Sequence, residues 1–167
     1  LENIGSGAVT ASFSECRNAE AIIVIGANPT VNHPVAATFI KNAAQRGARL
    51  YVLDPRGQYL DRYATHSLNF TPGSDVALLN AMINVIISEE LFDAAYVRDH
   101  TEGFSELKER TLNTTPEAMS PICGIEPEVI RDVARGYASA EGAMIFWGMG
   151  ISQHTHGTDN SRCLISL

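Results

Sequence analysis

The sequence is short of cysteine, of positive charge and of long apolar runs, and each shortage excludes a class of protein. Its three cysteines, an odd number, lie far apart at positions 16, 123 and 163. They therefore match neither a disulfide framework nor the paired CxxC ligands of zinc and iron–sulfur sites. We expect Cys16, Cys123 and Cys163 to be free buried thiols in a reducing compartment. No apolar run approaches the roughly 20 residues of a membrane-spanning helix, so no membrane span is expected.

Positive charge is scarce: 12 Lys and Arg oppose 19 Asp and Glu, which gives a formal net charge of −7. Sequence-independent binding of nucleic acid needs clustered Lys and Arg, so no nucleic acid partner is expected. An anionic small ligand is still compatible with this charge, because backbone N–H groups and a single Arg can hold a phosphate in an acidic protein. The GxSxG, P-loop and GxGxxG motifs of serine hydrolases, P-loop NTPases and NAD-binding Rossmann domains do not occur.

The two ends of the sequence have the features of internal segments. The first seven residues include neither an initiator Met nor the basic region of a signal peptide. Residues 164–167 stop within an apolar pattern. We therefore expect residues 1–167, a usual domain size, to be a single domain excised from a larger chain. The expected location is the cytoplasm, with a periplasmic parent protein as the alternative.

Apolar segments and breaker residues predict an α/β fold. Four segments have the composition of strands: 21–25, 49–53, 66–70 and 143–147. Apolar spacing and capping residues predict helices over 34–46, 76–87 and 129–137, shorter helical segments from 93 onward broken at Gly103, Pro116, Pro121 and Gly124, and a last helix from Thr158. This alternation predicts a Rossmann-like domain of three layers, with a mostly parallel sheet of about four or five strands. The third strand alternates in polarity and is expected at an edge.

Loops rich in Gly, Pro, Asn and Asp follow the carboxyl ends of all four predicted strands. These loops are residues 26–29, 54–57, 71–75 and 148–150. Because the carboxyl ends of parallel strands share one edge of the sheet, the loops are expected to meet there. Open α/β sheets bind their ligands at this edge, so the sequence predicts one binding site built from all four loops.

The first two loops carry groups that suit a nucleotide. The Asn28 amide can donate and accept hydrogen bonds, and Gly26 would let the backbone approach a ligand. An ordinary strand-to-helix turn explains the same residues. Asp54 follows the second strand directly, where dinucleotide-binding folds contact a ribose or base, and Arg56 can fork onto phosphate oxygens. The alternative there is a local ion pair between Asp54 and Arg56.

The other two loops suit an anion and a flat ligand. Gly73 precedes the predicted start of a helix, and the N–H groups at such a start bind anions. Ser74 or Asp75 would cap that helix in any case. Gly148 and Gly150 would let a bulky ligand lie against the chain. Each loop taken alone has a structural alternative, and their convergence on one edge favours the functional interpretation.

The histidines give no further site. His154 and His156 lie two residues apart, a spacing that could serve a metal ion, but no Asp, Glu or Cys joins them locally to complete a ligand set. No metal ligands are therefore expected in this chain.

Taken in order, the loops and their flanks resemble the molybdopterin oxidoreductase family, and formate dehydrogenase catalytic subunits in particular. The matching stretches are residues 26–30 (GANPT), 33–34 (HP), 52–56 (VLDPR), 73–81 (GSDVALLNA), 101–104 (TEGF) and 147–153 (WGMGISQ). GxNP and DPR alone are loose motifs, whereas the ordered set that includes TEGF and WGMGxxQ is specific. The resemblance runs from about residue 5 to the carboxyl end, which is nearly the whole chain.

The resemblance implies a central domain of the formate dehydrogenase and DMSO reductase type. Such a domain binds the guanosine and pyrophosphate portions of one bis-molybdopterin guanine dinucleotide. The residues that correspond to its binding site are Asn28, Asn32, Leu53, Asp54, Arg56, Gly73, Asp75, Gly148, Met149 and Gln153. Leu53, Asp54 and Arg56 would line the guanosine side, and Gly148, Met149 and Gln153 would approach the pterin. Many relatives carry an acidic residue where this chain has Val31, so that contact is missing here.

The resemblance also implies what lies outside residues 1–167. The cysteine motif for a [4Fe-4S] cluster and the catalytic Cys or selenocysteine with its adjacent His belong upstream, and the formate-contacting Arg belongs downstream. The parent would be a molybdenum or tungsten enzyme that oxidises formate to carbon dioxide and passes electrons through iron–sulfur centres to electron-transfer subunits. This fragment alone would be inactive and would contact other domains of the parent chain.

Two alternatives remain open at this point. The parent could be another member of the family, such as a nitrate reductase or the large subunit of a respiratory NADH dehydrogenase. The domain could also be a cofactor-free interaction module that keeps the fold and uses the strand edge to bind a partner protein.

Overall fold

The structure, a computed structural model, describes residues 11–167. The predicted absence of a signal peptide concerns residues outside this range. The strands are β1 (Ala21–Ile25), β2 (Arg49–Leu53), β3 (His66–Leu68) and β4 (Ala143–Trp147). The helices are α1 (Pro29–Asn32), α2 (Pro34–Gln45), α3 (Asp75–Ser88), α4 (Ala94–His100), α5 (Phe104–Thr111), α6 (Pro116–Cys123), α7 (Pro127–Ala138), α8 (Met149–Ser152) and α9 (Gly157–Ser166). Two short 3-10 helices, Phe13–Arg17 and Tyr59–Tyr63, precede β1 and β3.

The strands form one parallel sheet in the order β3-β2-β1-β4. β1 pairs over its full length with both neighbours, so that Ala21 lies opposite Arg49 and Ala143. The predicted α/β fold with a parallel sheet is confirmed, and so is the position of the third strand at an edge. That strand ends at Leu68, two residues earlier than predicted, and Phe70 beyond it is buried in the core.

Helices cover the sheet on both faces, which gives the three predicted layers. On one face, Ile22 and Val24 of β1 belong to a core cluster with Ile40 of α2. On the other face, Ile23 and Ile25 belong to the larger core cluster, to which α3, α6, α7 and α9 contribute. Because both faces of β1 are covered, all five of its side chains are buried, and this explains its continuous apolar run.

The helical segments after residue 93 match the prediction except at Pro121. Pro116 begins α6, and Gly124 ends it in the left-handed conformation with a φ of 74°. Pro121 lies inside α6, so the predicted break at this residue is wrong. The helix tolerates it because Pro121 lies in the last turn, where only the bond from its missing N–H to the Glu117 carbonyl is lost.

α3 is a largely buried helix that begins close to the predicted position. Ser74 occupies the N-cap position, but its hydroxyl donates to the Thr71 carbonyl oxygen (2.6 Å) and does not cap the helix. Asp75 is the first helical residue. α3 has only 14 residues, and no helix within residues 11–167 is long and apolar enough to cross a membrane.

Candidate functional site

The loops that follow the strands lie side by side along one edge of the sheet, because all the strands are parallel. Hydrogen bonds of 2.8–2.9 Å join neighbouring loops in the order of the strands: Asn69 Nδ2 to the Asp54 carbonyl, Gln58 Nε2 to the Ala27 carbonyl, and Gly150 N–H to the Gly26 carbonyl. The sequence predicted that these loops meet at one edge, and the parallel sheet confirms it. Gln58 was not identified from the sequence, since nothing there indicates that it links two loops.

The first and fourth loops meet at the point where the strand order reverses: from β1 the sheet grows in one direction to β2 and β3, and in the other direction to β4. After β1 the chain passes to α2 on one face of the sheet, whereas after β4 it passes to α8 and α9, whose buried residues belong to the cluster on the other face. β1 and β4 are nevertheless neighbours in the sheet. In open α/β sheets, ligands bind at such a reversal, outside the carboxyl ends of the strands.

Gly26 and Gly150 bring the backbones of the first and fourth loops into direct contact. A Cβ at Gly150 would lie 2.5 Å from the Gly26 carbonyl oxygen, and a Cβ at Gly26 would lie 2.8 Å from the backbone of Gly150. Gly26 also has a φ of 55°. Gly148 is close to the first loop as well, 3.1 Å from Ala27 at its Cβ position. The sequence had suggested that these glycines let a ligand approach, but the structure shows that Gly26 and Gly150 are needed for contact between loops.

Asp54 and Arg56 lie at the tip of the second loop. Asp54 is only 5% exposed, and its Oδ1 accepts a hydrogen bond from the Arg56 backbone N–H (2.8 Å). The Arg56 side chain is 83% exposed, and its Nε lies 3.8 Å from the same oxygen. Because 3.8 Å is beyond hydrogen-bond distance, the guanidinium donates no hydrogen bond to Asp54, and its donors stay available. The local pair exists, and it leaves Arg56 able to reach a phosphate.

Asn28 lies in the first loop, next to Ala27, whose carbonyl Gln58 joins to the second loop. The Oδ1 atom of Asn28 accepts from the Thr30 hydroxyl (2.6 Å), and its Nδ2 donates to no partner within residues 11–167. Asn32, the last residue of α1, is exposed. Leu53 differs from both, because it is fully buried and its carbonyl accepts the Gly26 N–H (3.2 Å). The buried Leu53 side chain supports Asp54 from within the core, and the expected place of Leu53 on the guanosine side stays a prediction that its backbone would have to meet.

The third loop leads into a nearly buried carboxylate at the start of α3. Asp75 is 3% exposed, and this burial raises the pKa of its carboxyl, while its own backbone N–H and the nearby His154 lower that pKa. Gly73, two residues earlier, is exposed and has a φ of 84°. Sequence reasoning did not place His154 near the third loop, because the two lie far apart along the chain.

The fourth loop adds apolar surface to these polar groups. Met149 is 64% exposed, and Trp147 at the end of β4 is 42% exposed. Gln153, the residue after α8, is exposed as well. Ligand sites commonly combine apolar walls with a few polar groups, and this edge has both. Trp147 was predicted as a strand residue and as part of the matching stretch 147–153, but not as a site residue, since its apolar neighbours indicate burial.

A cleft of about 430 Å³ opens beside the first loop, on the side of α2. It is lined by Thr30, Pro34, Ala37, Lys41 and Tyr59. Lys41 and Tyr59 add an ammonium group and a half-exposed aromatic ring next to the row of loops. Sequence reasoning missed both, because it did not predict the 3-10 helix that carries Tyr59 or its position near α2.

The cysteines are free, as predicted, although Cys163 is only partly buried. Burial raises the pKa of the Cys16 thiol, and it raises that of Cys163 to about 11. Both shifts disfavour the thiolate, which is the reactive form of the side chain. Within residues 11–167, no group of three or more His, Cys, Asp or Glu side chains could hold a metal ion.

Known proteins are similar to this chain over nearly its whole length. The family model described as Molybdopterin oxidoreductase matches residues 2–167. The F420-dependent formate dehydrogenase subunit alpha of Methanocaldococcus jannaschii is 43% identical over 98% of this chain and 24% of its own length. Formate dehydrogenase H of Escherichia coli is 40% identical over 99% of this chain and 23% of its own length. Acetylene hydratase from Pelobacter acetylenicus has a similar fold, with a TM-score of 0.82 and 32% identity over 93% of this chain and 21% of that chain.

Proposed function

Because this chain belongs to the molybdopterin oxidoreductase family, we propose that its strand-end loops bind the nucleotide end of a molybdopterin guanine dinucleotide in a larger formate dehydrogenase. The observation that carries the proposal is the row of hydrogen-bonded loops at one edge, which presents the exposed Arg56 guanidinium next to the buried Asp54 carboxylate and a second buried carboxylate, Asp75, in the third loop. The chain spans about a quarter of the length of the formate dehydrogenases it matches, so the activity of the whole enzyme is part of the proposal.

The polar groups at this edge fit a guanosine diphosphate moiety. Arg56 has free donors in the forked geometry that phosphate oxygens match. Asp54 and Asp75 are carboxylates that accept hydrogen bonds from ribose hydroxyls or from the N–H groups of guanine. The Nδ2 of Asn28, which has no partner among residues 11–167, can donate to a guanine or phosphate oxygen. The edge therefore has both the hydrogen-bond donors and the hydrogen-bond acceptors that the nucleotide needs.

The exposed apolar residues fit the other part of the cofactor. Met149 and Trp147 lie at the end of β4, beyond the polar tip of the second loop in the order of the strands. A flat pterin ring system would pack against such side chains, while Gly148 and Gln153 approach its polar rim. In this arrangement the nucleotide lies along the β1 and β2 loops, and the pterin lies toward the β4 loop.

The role of this chain in catalysis is to bind and orient. When bound, the cofactor would supply the redox centre, with molybdenum or tungsten as its metal. Arg56, Asp54 and Asp75 hold the nucleotide. The contact between Gly26 and Gly150 fixes the distance between the first loop, on the nucleotide side, and the fourth loop, on the pterin side. We place the [4Fe-4S] cluster, the catalytic Cys or selenocysteine and the contacts to electron-transfer subunits in the rest of the larger protein, of which residues 1–167 form one domain.

The fold alone does not determine the reaction, since acetylene hydratase shares it. Formate oxidation is favoured because the identity to the two formate dehydrogenases, 43% and 40%, exceeds the 32% to acetylene hydratase. The test is formate-dependent reduction of a viologen dye by the full-length protein. A protein that contains the pterin and its metal but does not oxidise formate would refute the reaction and leave cofactor binding intact.

The binding site itself is tested by Arg56→Ala in the full-length protein. Loss of one charge-assisted hydrogen bond should weaken nucleotide affinity by about 1.5–3 kcal/mol, which is roughly a tenfold to 150-fold change. The measurement is the guanine nucleotide that co-purifies with the protein and is released on denaturation. Arg110→Ala, an exposed residue on α5, is the matched control. Equal nucleotide content in the two variants would show that Arg56 does not hold the phosphate.

A further inference from the structure

The outer edge of β4 is open, although its composition is that of an interior strand. Within residues 11–167, β4 pairs only with β1, and this pairing runs through all five residues without a bulge. Its sequence, AMIFW, contains no charged residue, proline or glycine. Edge strands are commonly protected from further pairing by charges, proline, bulges or short length. β3, at the other edge, is short and has two polar residues among its three, whereas β4 has none of these protections.

The backbone and the side chains of β4 are only half covered. In a parallel sheet, successive residues direct their N–H and C=O groups to alternate sides of the strand. About half of these groups in β4 therefore have no strand partner within residues 11–167. Met144 and Phe146 are partly buried on the face of α2, and Ile145 is partly buried on the other face, whereas their partners in β1 are fully buried. A further strand beside β4 would complete both kinds of contact.

The chain reaches β1 from the side of β4. The 3-10 helix Phe13–Arg17 precedes β1, and its Cys16 is buried in the core cluster on the face of α2. The ring of Phe13, at the start of this helix, lies 6.1 Å from the ring of Phe146 in β4. At Phe13 the chain therefore lies over β4, on the face of the sheet that α2 covers.

The handedness of crossovers decides where a strand upstream of β1 could join the sheet. Parallel strands are almost always joined by right-handed crossovers. From β1 the chain crosses through α2 and moves away from β4 to reach β2. A strand beyond β4, joined to β1 through the Phe13–Arg17 helix, would move in the same direction over the same face, so its crossover would have the same hand. A strand beyond β3 would move in the opposite direction over that face, and its crossover would have the disfavoured hand.

We propose that the outer edge of β4 pairs with a fifth, parallel strand, which the same polypeptide supplies upstream of β1. A crossover between parallel strands takes about a dozen residues or more, and this places the strand upstream of residue 9. The larger protein has room for it, since this chain spans about a quarter of the length of the formate dehydrogenases it matches. The inference rests on the proposed function only in taking residues 1–167 as one domain of a larger polypeptide.

The first test is hydrogen exchange of the full-length protein, read at single amides by mass spectrometry with electron-transfer fragmentation. With the strand in place, all five amides of β4 should exchange at least about a hundredfold more slowly than unstructured amides, as those of β1 do. An open edge would leave about half of the β4 amides near the unstructured rate, and that result would overturn the proposal. Protection that is lost on dilution, or when other subunits are removed, would also overturn it, because the covering strand would then belong to another chain.

The second test identifies the covering strand by photo-cross-linking. The label is p-benzoylphenylalanine in place of Ala143, which is exposed at the start of β4, and the same label in place of Ser67 in β3 is the matched control. In the full-length protein, the label at position 143 should capture a peptide upstream of residue 9, and the control should not. Capture of a peptide downstream of residue 167, or of a second polypeptide, would contradict the proposal. Neither test involves formate or the cofactor, so a failure of the proposed function and a failure of this inference give different results.

Discussion

β1 and β4 are neighbouring strands of equal length and similar composition, but they differ in exposure. Both consist of five apolar residues, and they pair in register from Ala21 opposite Ala143 to Ile25 opposite Trp147. All five side chains of β1 are buried. In β4 the first and last side chains are exposed and the other three are partly buried. An apolar run therefore predicts a strand without predicting how deeply that strand is buried.

The difference follows from what surrounds each strand within residues 11–167. β1 has a strand on either side and helices on both faces. β4 has β1 on one side only. On the face of α2, its Phe146 ring is 6.1 Å from the ring of Phe13, which is itself 46% exposed. Position in the sheet, not the residues of the strand, decides the depth of burial.

The largest test of this comparison replaces two paired isoleucines, Ile23 of β1 and Ile145 of β4. Ile23→Ala should lower the free energy of unfolding by about 4 kcal/mol, because a fully buried side chain leaves a cavity. Ile145→Ala should lower it by about 1–2 kcal/mol, since less apolar area is removed from the core. Urea denaturation of the 167-residue chain, with equal m-values, measures both. Equal losses would show that β4 is packed as tightly as β1.

Much of the fold could be predicted because local rules and tertiary structure agree. The β1, β2 and β4 strands have the predicted bounds, since apolar runs with β-branched residues suit a covered parallel sheet. The end of β3 and the place of Pro121 could not be predicted. The first depends on Asn69, whose side chain donates to Asp54 in the neighbouring loop, and the second depends on which turn of α6 the proline occupies.

The candidate site was predictable to the level of loops but not of individual contacts. Loop positions follow from strand order, so their convergence could be inferred from the sequence alone. The role of Gly26 and Gly150 could not, because a glycine that admits a ligand and one that admits another backbone have the same sequence pattern. The proximity of His154 to Asp75 depends on tertiary structure that no local pattern encodes.

The second prediction concerns the ends at which β1 and β4 are tied together. Gly150→Ala should cost about 2 kcal/mol of unfolding free energy, because its Cβ would meet backbone atoms that cannot move independently. The same variant should weaken nucleotide binding, since it separates the first and fourth loops. Gly142→Ala, just before β4, is the control, because its Cβ would lie 3.3 Å from a loop carbonyl and should cost less than about 1 kcal/mol. A greater loss of unfolding free energy in Gly142→Ala than in Gly150→Ala would show that the contact between Gly26 and Gly150 is not tightly packed.

The third prediction concerns a buried charged residue, Asp75, which contrasts with the exposed apolar Trp147 of β4. Burial raises the pKa of the folded Asp75 carboxyl above that of the unfolded chain, about 3.9. Its contribution to stability is therefore complete below the unfolded pKa and is lost as pH rises through the folded pKa.

Asp75→Asn removes this dependence. The variant should melt a few degrees higher at neutral pH, and the difference should shrink as pH falls toward the unfolded pKa. Nucleotide binding should fall in the same variant, because an amide replaces a charged acceptor. Thermal melts between about pH 4 and 8 measure the first effect. A constant difference over that range would show that the Asp75 charge does not limit stability.

The smallest expected effect is at Ala143, the exposed first residue of β4. Ala143→Thr should change the free energy of unfolding by less than about 0.5 kcal/mol, and in the stabilising direction, because Thr has the higher strand propensity and its hydroxyl stays in water. Its partner across the pair, Ala21, is fully buried, so the same hydroxyl placed there would lose its hydrogen bonds to water and crowd the core. Urea denaturation of the two variants of the 167-residue chain separates strand propensity from burial at paired positions. If Ala143→Thr were as harmful as Ala21→Thr, the edge of β4 would have to be packed in solution, and exposure would not explain why the two strands differ.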